Sequence, residues 1–199
     1  MLAARRILDV SCDAALPEGE DTLLEPLSPY AITKVAGELY MQSYHRLYGL
    51  ETVSLRYFNI YGPLQDYNSK HSTVIPLFIK TIMEDRQPVI FGDGTASRDF
   101  TYVKDVANAN LLAFDAGGAA GKTFNIACGN TISINEMVEK INHALGKSIK
   151  PLHKEERKGD VLHTRADISR AKKVLGYEPK YDFETGLRET IKWFRSGKI

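Results

Sequence analysis

Tyr30 and Lys34 stand four residues apart in the run Ser28-Pro29-Tyr30-Ala31-Ile32-Thr33-Lys34. On a helix, residues i and i+4 share a face, so a phenol and an ammonium would stand one turn apart. Both groups titrate near 10 when unperturbed. A fixed cation beside a phenol favours the phenolate, which lets a tyrosine act as a base near neutral pH. A Tyr–Lys pair taken alone is common on exposed helix faces, so the motifs around it carry the weight.

The elements that must position this pair follow from punctuation and periodicity. A helix is expected over 30–48, stopped by Gly49. A short buried strand is expected at 7–11, and a loop with Pro and Gly at 13–29. The β-rich stretch 52–58 reads as a strand that ends in Asn59-Ile60-Tyr61-Gly62-Pro63. Beyond a polar loop at 63–73, the pattern predicts a helix over 74–83, a strand over 88–91 and a turn at Gly92-Asp93-Gly94. A helix over 103–115 and a strand over 123–127 come next. Ser133 and Glu136 fit a capping box for a helix that stops at Gly146, and Asp167 and Asp182 fit the N-caps of two last helices. Strands alternating with helices argue for an α/β fold with a largely parallel sheet, whose ligands sit beyond the carboxyl ends of the strands.

Composition narrows the class. The chain has 199 residues, 43% hydrophobic and 26% charged, with a net charge of +1. Such a balance gives no footing for a nucleic-acid or membrane-surface partner, and no run of residues is long enough to span a bilayer. The two cysteines, Cys12 and Cys128, form no CxxC motif, and no His/Cys cluster has metal-ligand spacing. A reducing, cytoplasmic setting is therefore expected. The first ten residues have too short an apolar run, broken by Arg5, Arg6 and Asp9, to be a signal peptide. His71, His143 and His153 have no catalytic arrangement in the sequence.

Three motifs in order, Ser-Pro-Tyr-Ala-Ile-Thr-Lys, Leu-Arg-Tyr-Phe-Asn-Ile-Tyr-Gly-Pro and Gly-Asp-Gly-Thr-Ala-Ser-Arg-Asp-Phe-Thr-Tyr-Val, give the chain a resemblance to the extended short-chain dehydrogenase/reductase family. More narrowly, it resembles the NAD-dependent nucleotide-sugar epimerases and dehydratases. The resemblance implies part of a doubly wound Rossmann domain, at 1–62 and joined by about 95–115, with a smaller α/β domain for the nucleotide sugar, mainly 63–199. It implies Tyr30 as the base for the sugar 4-hydroxyl, with Lys34 on the nicotinamide ribose and beside the phenol. Hydride would pass from C4 to NAD and return to the opposite face of a 4-keto intermediate, so the net change is 4-epimerisation. Tyr57 and Phe58 would line the nicotinamide region. Asn59, Arg98 and Arg157 would hold the diphosphate, a role suited to the planar guanidinium fork. Asp160 would contact the nucleoside end. Phe91 would sit near the uracil, with a core strand position as its alternative. Val74, at the start of the 74–83 helix, is a further substrate-side candidate. A homodimer through the 30–48 helix is also implied, with Leu39, Tyr40, Ser43, Tyr44 and Leu47 available for packing.

Two departures shape these expectations. The family's Gly-x-x-Gly-x-x-Gly turn, which holds the NAD pyrophosphate on backbone N–H groups and a helix N-terminus, does not occur in the sequence. The chain therefore reads as a truncated form that starts near the middle of a Rossmann domain, with weak NAD binding expected. The family's hydroxyl before the Tyr aligns with Asp13, which leaves Ser11 as the nearby hydroxyl. Sugar choice is open between a UDP-hexose and a UDP-N-acetylhexosamine. Thr164, seven residues after Arg157, matches a family position where a small side chain leaves room for a 2-acetamido group. The alternatives are a UDP-glucuronate decarboxylase, a 4,6-dehydratase, or a non-catalytic remnant that binds a UDP-sugar.

Overall fold

The structure is a computed structural model that describes residues 16–26, 28–66, 73–157 and 161–197, and the main chain of 2–5. In chain order its elements are β1 (Leu2–Arg5), α1 (Pro29–Tyr48), β2 (Ser54–Tyr57), β3 (Ile60–Tyr61), α2 (Val74–Met83), β4 (Val89–Phe91), β5 (Ser97–Arg98) and β6 (Thr101–Tyr102). The remainder are α3 (Val103–Asp115), β7 (Thr123–Ile126), β8 (Ile132–Ser133), α4 (Ile134–Leu145), β9 (Leu152–Lys154), α5 (Ser169–Leu175) and α6 (Phe183–Arg195). The fold is α/β, and among the described residues the largest sheet is parallel, in the order β1-β2-β7. The central strand β2 is buried along its whole length, as a strand covered on both faces must be.

Local chemistry explains the helix boundaries. Ser28 caps α1, its hydroxyl accepting from the Ala31 N–H at 3.1 Å, and Pro29 occupies the first turn, where its missing N–H costs nothing. Gly49 closes the helix in the left-handed conformation. Ser133 and Glu136 form the expected capping box of α4, and the Asp182 carboxylate caps α6. Asp167 does not cap α5. That helix begins at Ser169 after Ile168, and the Asp167 carboxylate accepts from the Ser169 N–H two residues on, a local Asx turn that competes with capping. The expected strand at 7–11 lies outside the described residues, and the first described strand is Leu2–Arg5.

Apolar side chains gather into two cores. One packs Leu55, Phe124 and Ile126 of the sheet, with Phe58 just beyond β2, against Val106 and Ala109 of α3 and Ala171 and Leu175 of α5. The other packs Ile75, Phe78 and Ile82 of α2 against Met137, Val138 and Ile141 of α4 and Leu187, Ile191 and Phe194 of α6. Tyr61, Phe100, Tyr102 and Phe183 bring four rings into the second core, their centroids 5.2 to 6.4 Å apart in neighbouring pairs. Short paired strands lie beside these cores, β3 with β6, β4 with β9 and β5 with β8. Among the described residues no helix is long and apolar enough to cross a membrane, and no cluster could hold a metal ion.

Candidate active site

The Ser28 cap and Pro29 fix where α1 starts, so Tyr30 and Lys34 occupy its first two turns. Tyr30 is half exposed, and the Lys34 ammonium lies 5.1 Å from the centre of its ring. The i, i+4 pairing expected from the sequence is thus present as a cation over an aromatic face. α1 is anchored from behind by an ion pair in which Arg56 of β2 donates from Nε to Glu38 Oε2 at 2.9 Å and from Nη2 to Glu38 Oε1 at 2.7 Å. Both residues are buried, and Arg56 also donates to the Glu20 carbonyl.

A second group forms beyond the carboxyl ends of β2 and β7. Asn59 follows β2 with φ of 31°, a left-handed conformation that Asn tolerates better than most residues. Its amide donates to the Asp99 carbonyl at 2.8 Å and reaches the Thr164 hydroxyl at 3.5 Å. Arg98 donates from Nη1 to the carbonyls of Ser97 and Leu162, both at 2.9 Å. Thr164 is fully buried, and its N–H donates to the Ser97 carbonyl. The structure therefore brings Asn59, Arg98 and Thr164 together.

Arg157 and Phe91 form a third group. The guanidinium carbon of Arg157 lies 3.7 Å from the centre of the Phe91 ring, which is 37% exposed. Phe91 is thus an edge aromatic rather than a core one. The turn after it is held by His153 Nδ1 against the Gly92 carbonyl and by the Asn135 amide, which donates to the Asp93 carbonyl. Gly94 is required there, since a β-carbon would run into the Asn135 amide.

The other expected residues sit as follows. Tyr57 and Phe58 are buried in the first core, and the Tyr57 hydroxyl donates to Asn110 Oδ1 at 2.9 Å. Burial holds that phenol above its ordinary range. Neither ring is presented to solvent. Val74 is half buried at the start of α2. Ser11, Asp13, Asp160 and His71 lie outside the described residues.

Two residues at the second group had no role assigned from sequence. Asp99 is fully buried and accepts from the N–H groups of Cys128, Gly129 and Ala166. His163 pairs its Nδ1 with the Ser97 hydroxyl at 2.9 Å. The signal for Asp99 was an acid set between Arg98 and the run Phe100-Thr101-Tyr102-Val103. Such an acid is rarely buried without partners.

The profile of the family described as GDP-mannose 4,6 dehydratase matches residues 13–190. The chain belongs to this family. The UDP-glucuronate 4-epimerase of Thermodesulfobacterium geofontis is 42% identical over 179 residues, covering 89% of this chain and 54% of the relative. Among solved structures, a UDP-N-acetylglucosamine 4-epimerase from Methanobrevibacter ruminantium in complex with UDP-N-acetylmuramic acid superposes with a TM-score of 0.92 at 42% identity, over 98% of this chain and 63% of that one. A UDP-glucuronic acid 4-epimerase from Bacillus cereus in complex with UDP-glucuronic acid and NAD gives 0.88 at 31% identity, over 98% and 61%. The chain thus spans between about half and two thirds of the length of these proteins. Epimerases as well as dehydratases are therefore among the proteins to which it is similar.

Proposed function

We propose that this chain carries the proton-transfer pair and the sugar-nucleotide side of an NAD-dependent 4-epimerase for a UDP-hexose or UDP-N-acetylhexosamine. The observation that carries the reading is the exposed Tyr30 with the Lys34 ammonium 5.1 Å from its ring centre, on the capped first turns of α1. Tyr30 takes the proton of the sugar 4-hydroxyl and later returns it, while the adjacent cation offsets the charge of the deprotonated phenol. Asn59 and Arg98 take the diphosphate from the sheet end, and Arg157 takes it from the side of Phe91. Guanidinium–phosphate bonds are charge-assisted and geometrically selective. Asp160 is assigned to the nucleoside end, and Ser11 or Asp13 to assisting the proton transfer.

The donors present fit one half of NAD. Tyr30 and Lys34 are accessible on one helix face and suit the nicotinamide ribose, whereas the sequence has no Gly-x-x-Gly-x-x-Gly for the pyrophosphate. When bound, the nicotinamide supplies the redox couple at C4. The small Thr164, buried against Asn59, favours a pocket that accepts a 2-acetamido group, and the likeness to a UDP-N-acetylglucosamine 4-epimerase points the same way. Exposed Leu39, Tyr40, Tyr44 and Leu47 of α1 are proposed to pair with a second copy.

The test uses this chain extended at its amino end with the corresponding segment of the Methanobrevibacter ruminantium relative. NMR of the sugar C4 configuration follows UDP-N-acetylglucosamine and UDP-glucose turnover. Tyr30→Phe should lose at least ~10²–10⁴-fold in rate, the typical contribution of a positioned acid–base group, with UDP-sugar affinity nearly unchanged. Retention of most activity by the Phe variant would refute the role.

A further inference from the structure

Asp99 has no exposed surface, yet both oxygens of its carboxyl group are occupied by main-chain donors from two distant segments. Cys128 N–H donates to Oδ1 at 2.9 Å, Gly129 N–H to Oδ2 at 3.0 Å, and Ala166 N–H to Oδ2 at 3.3 Å. The Asp99 carbonyl takes the Asn59 amide at 2.8 Å. On the strand before it, Ser97 N–H donates to the Leu162 carbonyl at 2.9 Å and Thr164 N–H to the Ser97 carbonyl at 3.1 Å. The carboxyl group of Asp99 therefore joins the exit of β7 to Ala166 of the segment 162–166, while the main chain of Asp99 and of β5 before it joins that segment and the exit of β2 to the same place. Three N–H donors converging on two oxygens suit a charged acceptor, because an amide would turn its own N–H₂ toward one of them.

We propose that Asp99, as a carboxylate, is a positioning residue for the diphosphate clamp, holding Asn59, Arg98 and the 162–166 segment in the arrangement that receives a UDP-sugar. The inference rests on the UDP-sugar reading above. Asp99 itself acts through its neighbours and not on the ligand.

The surroundings make this residue responsive to pH. Burial pushes its carboxyl up to about 6, against the three N–H bonds and the nearby Arg165 charge, which favour the ionised form. Arg165 donates to the Gly129 carbonyl on the same loop. The Cys128 thiol, pushed up to about 12 by burial, and the Tyr177 phenol, also raised by burial, face Asp99 and stay neutral in weak acid. Arg98 precedes it, and His163, bound to Ser97, is the other ionisable group of the segment. Protonation would turn one acceptor oxygen into a donor facing an N–H, and the knot would loosen.

The experiment measures two things on the 199-residue chain, in both the parent and a His163→Gln background, from about pH 5 to about pH 8. Calorimetry gives the affinity for UDP-glucose, whose diphosphate diester keeps its charge over that range. Amide NMR follows Cys128, Gly129, Ala166 and the Asn59 side chain. The four signals should move together with a midpoint of about 6, and affinity should fall about tenfold or more below it, the equivalent of one hydrogen bond to a charged group. Asp99→Asn should bind as weakly as the acid form at every pH. Should that variant not fold, the pH series on the parent chain decides alone. Titrating amides with a flat affinity would overturn the positioning role, and amides that do not titrate together would overturn the knot itself. Titrating amides in a chain that binds no UDP-glucose at any pH would remove the UDP-sugar reading, and this role with it.

Discussion

Glu38→Ala tests what fixes the proton-transfer helix to the sheet. Glu38 receives two N–H bonds from Arg56, at 2.9 and 2.7 Å, and both side chains are buried. Removing the carboxylate leaves a buried guanidinium whose remaining described acceptor is the Glu20 carbonyl at 3.1 Å. Breaking one half of a buried pair costs about 3–5 kcal/mol, far more than an exposed pair contributes. With a urea slope of roughly 2 kcal/mol/M, the midpoint should fall by about 2 M. The exposed Arg86–Glu84 pair is the internal control, and Glu84→Ala should stay within about 0.5 kcal/mol of the parent. Replacing both buried partners, Glu38→Leu with Arg56→Met, should recover most of the loss, since no charge is then stranded. Urea melts followed by far-UV circular dichroism read all four proteins. A cost below about 1 kcal/mol for Glu38→Ala, or a double variant no better than the single one, would refute the reasoning.

Ser133→Ala should cost about 1 kcal/mol in the same assay, because the Ser133 hydroxyl caps the Glu136 N–H. The Ser133 N–H and hydroxyl hold the Glu136 carboxyl below its ordinary range, so that contribution is present above the ordinary glutamate pKa and is lost as pH falls through the lowered value. The gap between parent and variant should therefore narrow in acid, and a gap that widens there would contradict the capping box. The chain by itself should bind NAD more weakly than micromolar by calorimetry, since its sequence has no glycine-rich pyrophosphate turn. Leu47, 72% exposed on α1, should matter for self-association. Light scattering should find a dimer for the parent and a monomer for Leu47→Glu, and a monomeric parent at its highest soluble concentration would remove the proposed pairing.

What could be read from the sequence was what is local in the chain. The helices at 74–83 and 103–115 were legible to the residue, and so was the α4 capping box, because periodicity and caps are written within a few neighbouring positions. Strands β3, β5, β6 and β8 were not. Each is two residues long, too short to show alternation, and exists only because a distant partner pairs with it. β9 was hidden in the same way, as three exposed residues drawn into line by β4. The site divides along the same boundary. Tyr30 and Lys34 were legible as an i, i+4 pair, whereas the donors to Asp99 lie 29, 30 and 67 residues away. No spacing rule reaches that far without the fold.

The two arginines assigned to the diphosphate show why the tertiary part matters for binding. Arg98 is restrained by main-chain carbonyls, those of Ser97 and Leu162, so the β5 framework sets its direction before any ligand arrives. Arg157 is restrained by an aromatic face, and a contact of that kind at an exposed site is worth only about 0.5–1 kcal/mol. A diphosphate could draw Arg157 toward itself at small cost, or leave it stacked and use its outer edge, while Arg98 supplies the fixed reference. If both arginines serve the proposed diphosphate site, one preset arm and one yielding arm would keep most of the ordering cost out of the binding step and would still admit sugar nucleotides of different size. On this view the breadth of substrates among the relatives, from UDP-glucose to UDP-N-acetylglucosamine and UDP-glucuronate, is compatible with one diphosphate geometry. Under the proposed function, discrimination would fall to positions next to Asn59 such as Thr164, which is buried with its hydroxyl 3.5 Å from the Asn59 amide.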